Sequence, residues 1–170
     1  GKLAEIAQVK EYNFIQIPSG HPPRAMFGYS FTQLFFLFKH YGLINLSFEQ
    51  EFEKSIELLN KRKEHIQTEA QSLADKMHQQ TIVIYTAHGF EGVGVRFRQQ
   101  INENSKMLCW HHVIPEMNHN ELLGWRTNTD NLAVVYFRNK CDYIRNQVRI
   151  DINKKVIAKY TNNITEVWSE

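Results

Sequence analysis

Thr81-Ile82-Val83-Ile84-Tyr85-Thr86, followed by Ala87-His88-Gly89, is a continuous β-branched and aromatic run that stops at a short loop. Such a run, with no polar residue on alternate positions, predicts a strand over 81–86 buried on both faces, as in a parallel sheet covered by helices. Gly89, Gly92 and Gly94 follow, and the pattern predicts a helix over 93–104. A strand, a glycine-rich turn and a helix can set backbone N–H groups against a phosphate. The spacing G-F-E-G-V-G matches neither a P-loop nor G-x-G-x-x-G, and Glu91 would repel an anion, so the glycines read as a tight turn with close helix packing.

Working outward, 107–113 reads as a second buried strand. Pro115 and a short helix come next, with Asn118 as N-cap and Glu121 three residues later in an Asn variant of the capping box. Residues 132–137 form a third strand, and 142–160 a helix with Ile144, Val148, Ile152, Val156 and Ile157 on its inner face. A fourth strand covers 164–168. Upstream, 48–80 is a charged helical stretch with a narrow apolar stripe, a surface helix or helix pair. Before it, Pro22 and Pro23 open a helix over 24–41 that is apolar on nearly every face and therefore expected to be buried on two sides. Alternation at 13–17 predicts a further short strand, after an amphipathic segment at 3–9. Strands alternating with helices predict an α/β fold, a three-layer α/β/α sandwich with a mostly parallel sheet. Ligands of such sheets bind outside the carboxyl ends of the strands.

The 170 residues fit one domain with a core of its own, and 42% hydrophobic against 22% charged residues exclude wholesale disorder. With 20 Lys and Arg among 18 Asp and Glu, and a net charge of +2, nucleic acid is disfavoured as a partner. Cys109 and Cys141 have no C-x-x-C spacing, which argues against a disulfide framework and a zinc knuckle and for a reducing compartment. The apolar run around Phe31 to Phe38 is far too short to span a bilayer, so no membrane partner and a cytoplasmic location are expected. The start at Gly1 without Met, and the end at Trp168-Ser169-Glu170, predict a piece of a longer polypeptide.

Groups able to move protons crowd into 99–125, which holds Glu103, Glu116, Glu121, His111, His112, His119, Lys106 and four Asn. With these residues in view, the chain resembles the bifunctional phosphoglucose/phosphomannose isomerases, in particular the second of their two sugar-isomerase (SIS) domains. Three motifs carry the resemblance: I-P-S-G-H-P-P-R-A-M-F-G-Y-S at 17–30, N-E-N-S-K at 102–106 and P-E-M-N-H-N-E-L-L-G-W at 115–125. It implies aldose–ketose isomerisation of hexose 6-phosphates through a cis-enediolate, in a homodimer with shared active sites and with no cofactor or metal. It also implies three roles. Glu103 resembles the family's base, ahead of Glu116, readable as a turn carboxylate, and Glu121, readable as a cap. His119 resembles the ring-opening histidine that reaches the site from the neighbouring subunit. Arg24 resembles the arginine that stabilises the enediolate oxygens. His111 and His112 read as strand residues, one buried and one exposed.

The family's phosphate-gripping Ser/Thr loop belongs to its first SIS domain, and no such loop precedes Ile17. Its C-terminal helix, which carries a lysine into the site, would follow a strand like 164–168. The expectation is a single SIS-like domain over 1–170, the C-terminal half of a two-domain isomerase truncated before its last helix, and inactive or nearly so alone. The alternative is a non-catalytic SIS domain that binds a sugar phosphate as a regulator.

Overall fold

The computed structural model describes residues 1–45, 47–127 and 131–169. The chain divides into two compact units, Gly1–Lys63 and Glu64–Glu170.

The first unit is helical. Helix α1 (Lys2–Val9) leads into an irregular stretch, and Pro22 and Pro23 open a single tight 3-10 turn, Pro23–Ala25, before helix α2 (Phe27–His40). Gly42, in the left-handed conformation at φ +66°, follows its end. Helix α3 (Phe48–Lys61) pairs with α2 through tilted and edge-on rings: Phe35 lies 5.4 Å from Phe48 and 5.2 Å from Phe52, and Phe36 lies 5.1 Å from Phe48. Two expectations fail in this unit. Residues 13–17 form no strand, because an extended segment becomes one only when a neighbour takes up its backbone N–H and C=O groups. Helix α2 buries none of its residues; Phe27, Tyr29, Leu34 and Phe36 stay about half exposed. Within the unit a seam of rings joins α2 to α3, and Lys39 pairs with Glu49 beside that seam.

The second unit holds the sheet. The charged stretch 48–80 holds two helices, and the second, α4 (Lys63–Met77), sets Leu73 and Met77 against the sheet. Strands β1 (Thr81–Ala87), β2 (Cys109–Ile114), β3 (Leu132–Asn139) and β4 (Ile164–Ser169) form one fully parallel sheet in the order β2-β1-β3-β4. The central pair, β1 and β3, is the pair whose sequence reads as unbroken apolar runs, because both faces are covered. On one face Ile82, Ile84, Ala133, Val135 and Phe137 pack under α4 and helix α5 (Glu91–Gln100), with Phe97 from α5. On the other, Val83, Tyr85, Val134 and Tyr136 pack against Met117 and Trp125 of the turn after β2 and Ile150 and Ile157 of helix α7 (Ile144–Ile157). This is the α/β/α sandwich the pattern implied.

Close packing explains one of the three glycines. A Cβ on Gly94 would come within 2.9 Å of Thr86 Cγ2, whereas one on Gly89 or Gly92 would meet nothing within 4 Å. The helix α7 face differs from expectation. Its inward residues are Ile150, Asn153 and Ile157, while Ile144, Val148 and Ile152 are exposed. A polar residue in the middle of the true face broke the apolar pattern: Asn153 is fully buried, accepting from Asn118 Nδ2 at 2.5 Å and donating to Met117 Sδ at 3.3 Å. Buried Arg138 ties β3 to its neighbours, donating to Asp151 on α7 at 2.9 Å and to Glu166 on β4, with the Trp168 ring 4.4 Å away. Among the described residues no helix is long and apolar enough to cross a membrane.

Candidate functional site

Each strand of a parallel sheet delivers its following loop to the same edge, so the turn after β2 and the loop after β1 share the carboxyl edge. Strand β2 ends in a cis Ile114–Pro115 bond and enters the tight turn Glu116–Asn118. His119 closes that turn, its N–H bonding Glu116 O at 2.9 Å, and its side chain is exposed. The four-residue helix α6 (Glu121–Gly124) comes next.

The N-cap of α6 is Asn120, whose Oδ1 accepts from Glu121 N at 2.5 Å; it is not Asn118, which turns inward to Asn153. Glu121 is therefore not the third residue of a capping box, and its carboxylate is used elsewhere. Oε1 accepts from Tyr85 OH at 2.5 Å and from Trp110 Nε1 at 3.3 Å, and Oε2 lies 2.9 Å from His112 Nδ1. Tyr85 OH in turn accepts from Trp125 Nε1 at 3.0 Å. Burial first, and then the hydrogen bond and negative charge of Glu121, hold the Tyr85 hydroxyl far above the ordinary tyrosine range. Burial does the same to Tyr136.

His111 and His112 separate onto opposite faces of β2, each beside a carboxylate and each only partly exposed: His112 beside Glu121, and His111 Nε2 3.5 Å from Glu91. That pairing replaces the expected split into one buried and one exposed ring. Glu91 is the first residue of α5, so a carboxylate occupies the helix N-terminus where a phosphate would have had to bind. The close-packing reading of the glycine turn stands on this and on Gly94.

Glu103 lies elsewhere. Helix α5 runs back antiparallel to the strands and ends in one π-helical turn, Ile101–Ser105, closed by Lys106 in the left-handed conformation. Lys106 Nζ donates to Glu103 O at 2.5 Å, and Asn102 Nδ2 donates to Met107 O at 2.7 Å. The helix ends near Glu103 as expected, at the amino edge of the sheet, and the Glu103 side chain is exposed. The six residues of β2 separate Glu103 from His119, which is about 20 Å at strand rise. Arg24 sits in the Pro23–Ala25 turn of the first unit, exposed. Cys109 is buried beside Asn102, and burial raises its thiol above the usual value. No group of three or more His, Cys, Asp or Glu placed to hold a metal occurs among the described residues.

The tyrosine–glutamate–histidine cluster left no mark in the sequence, since Tyr85 and Glu121 are 36 residues apart. The adjacent histidines on a strand were the one available hint, because neighbours on a strand face opposite ways.

A parallel four-stranded α/β sheet with helices on both faces, carrying the 102–106 and 115–125 motifs at its edges, defines a domain of the sugar-isomerase (SIS) type. Two solved structures share the fold. A Salmonella typhimurium LT2 protein provisionally described as sugar binding aligns with a TM-score of 0.53 at 13% identity, over 71% of this chain and 37% of its own. A provisional phosphosugar isomerase of Clostridium difficile 630 aligns with a TM-score of 0.51 at 13% identity, over 75% and 36%. The profile of the bacterial phospho-glucose isomerase C-terminal SIS domain matches residues 66–170, and the chain belongs to that family. The chain is 33% identical to the bifunctional phosphoglucose/phosphomannose isomerase of Caldicellulosiruptor bescii, over 99% of this chain and 53% of that protein. It is 29% identical to the enzyme of the same name from Aquifex aeolicus, over 94% and 48%. A D-glucosamine-6-phosphate 4-epimerase of Sulfolobus acidocaldarius is 27% identical over 72% and 38%. The chain thus spans about half the length of the bifunctional isomerases it matches.

Proposed function

We propose that this chain is the C-terminal SIS domain of an enzyme that interconverts glucose 6-phosphate or mannose 6-phosphate with fructose 6-phosphate through a cis-enediolate. Family membership supports the reaction class, and the coverage of about half of each bifunctional relative supports a longer parent. Glu103 is the base that carries the proton between C1 and C2, His119 opens the sugar ring, and Arg24 stabilises the enediolate oxygens. The isolated domain is inactive or nearly so.

The observation that carries the arrangement is the placement of Glu103 and His119 at opposite edges of one sheet, separated by the length of β2. A hexose phosphate is far shorter than about 20 Å, so one chain cannot apply both groups to one sugar. Two copies related by a two-fold axis can, each lending a histidine to the other's glutamate, which makes the enzyme a homodimer with shared sites.

Subunit complementation of the full-length enzyme tests this. Glu103→Gln and His119→Ala parents are each expected to be nearly inactive. Mixed and reassembled in equal amounts, half the dimers are hybrids with one intact site of two, and about a quarter of wild-type turnover returns. Mixed samples no more active than the separate variants overturn the shared site. Full activity of Glu103→Gln alone overturns the base assignment and leaves a sugar-phosphate-binding role.

A further inference from the structure

Glu121 sits two residues beyond His119 and receives side-chain donors from three places at once: Tyr85 on β1, and Trp110 and His112 on β2. We propose that Glu121 is the positioning residue for His119, clamping the arch that carries it onto the carboxyl edge of the sheet. This inference rests on the reading of His119 as a group acting on the sugar.

The arch is anchored on both sides of His119. Before His119 the anchors are Met117, fully buried in the core beneath α7, and Asn118, whose Nδ2 donates to Asn153 Oδ1 at 2.5 Å. After it the anchor is the Glu121 carboxylate, backed by buried Trp125, whose indole N–H bonds the same tyrosine oxygen that Glu121 holds. Partly buried Leu122 packs against the same core cluster and adds an apolar contact, but an apolar contact does not fix direction as hydrogen bonds do. Helix α6 has four residues, too few to be stable by its own backbone bonds, and its N-cap is the neighbouring Asn120. Asn120 Nδ2 also reaches back to Glu116 Oε1 at 3.3 Å, a bond inside the arch that ties it to itself and not to the sheet. A carboxylate suits the clamp because a charged acceptor makes stronger hydrogen bonds than a neutral one and can take donors on both oxygens. His119 lies one Cα step from Asn120 and two from Glu121, at most about 7.6 Å from the clamp's backbone, so a released clamp is felt there first.

A group that acts in the transition state loses rate, not substrate affinity, when its placement loosens. In the full-length enzyme, Glu121→Ala is expected to lower kcat at least tenfold with KM within about twofold. On the 170-residue chain, the His119 Cε1–H proton signal is expected to move in the variant toward the position of an unstructured histidine. Tryptophan fluorescence reports whether the fold survives. If Glu121→Ala does not fold, Glu121→Gln keeps the shape of the side chain and carries the test, with an expected fall in kcat of threefold or more. A folded variant with kcat within twofold of wild type, or with the His119 signal in its original place, overturns the proposal. If the wild-type parent shows no hexose-phosphate isomerisation, the functional reading fails by itself, and the His119 signal alone decides the clamp.

Discussion

Replacing Tyr85 with Phe removes one oxygen from the middle of the cluster, and its effect can be worked out in sign and size. At neutral pH the change strands the Trp125 indole N–H, 4% exposed, without its acceptor, and it deletes a short hydrogen bond to an ionised carboxylate. An unsatisfied buried donor costs about 1–3 kcal/mol and a bond to a charged group contributes about 1.5–3, so with overlap the loss is about 2–4 kcal/mol. The Tyr85 proton is held more tightly in the folded state than in the unfolded one, which makes stability depend on alkaline pH. Below an unfolded tyrosine pKa of about 10 the contribution is fully present; above it, each pH unit removes about 1.4 kcal/mol until the folded value is reached. By pH 12 the wild type has lost about 2.7 kcal/mol that Tyr85→Phe never had, so the two proteins converge. All three tryptophans, Trp110, Trp125 and Trp168, lie in the second unit, so their fluorescence follows its unfolding alone. Urea titrations should show the variant's midpoint lower by roughly 1–3 M at pH 7 and the gap closing between pH 10 and 12. A gap that stays constant over that alkaline range would refute the assignment of Tyr85 as a hydroxyl kept protonated by burial and Glu121.

Three further substitutions test the packing. Gly94→Ala should destabilise the second unit by about 1–2 kcal/mol, because the new methyl meets buried Thr86, while Gly92→Ala in open space should gain up to about 1 kcal/mol of helix propensity; equal urea midpoints would contradict the close approach of α5 to β1. Arg138→Met should cost about 2–3 kcal/mol, less than a fully buried pair since Asp151 is 58% exposed, and Arg138→Lys should recover only part of it because an ammonium cannot span Asp151 and Glu166 while stacking on Trp168. Full recovery by lysine would show that charge alone matters there. Asn153→Leu should cost about 2–3 kcal/mol by leaving the Asn118 amide unpartnered, whereas Ile152→Ser one position away should change the thermal midpoint little, the reverse of what the apolar stripe of α7 suggests.

Much of the scaffold was legible residue by residue. β1 and β3 announced themselves as unbroken apolar runs because both of their faces are covered, and Gly94 could be read as a close-packing position from its place after a buried strand. Helix α7 is legible in the sequence but its buried face is not, since a buried Asn counts as polar in any periodicity. Residues 13–17 have strand composition but form no strand, and α2 has core composition but buries none of its residues.

By itself the amino-acid sequence determined the order of strands and helices from residue 48 onward, the parallel α/β class and the motifs that identify the family, because each of these is written in local patterns a few residues long. Tertiary structure alone decided that Glu121 belongs to Tyr85, Trp110 and His112 and not to a capping box, and that Glu103 and His119 lie at opposite edges of the sheet. Both follow from strand register: a parallel sheet sends every helix back along its strands, so residues 16 apart in the chain come to rest at opposite edges, while residues 36 apart come within hydrogen-bonding distance.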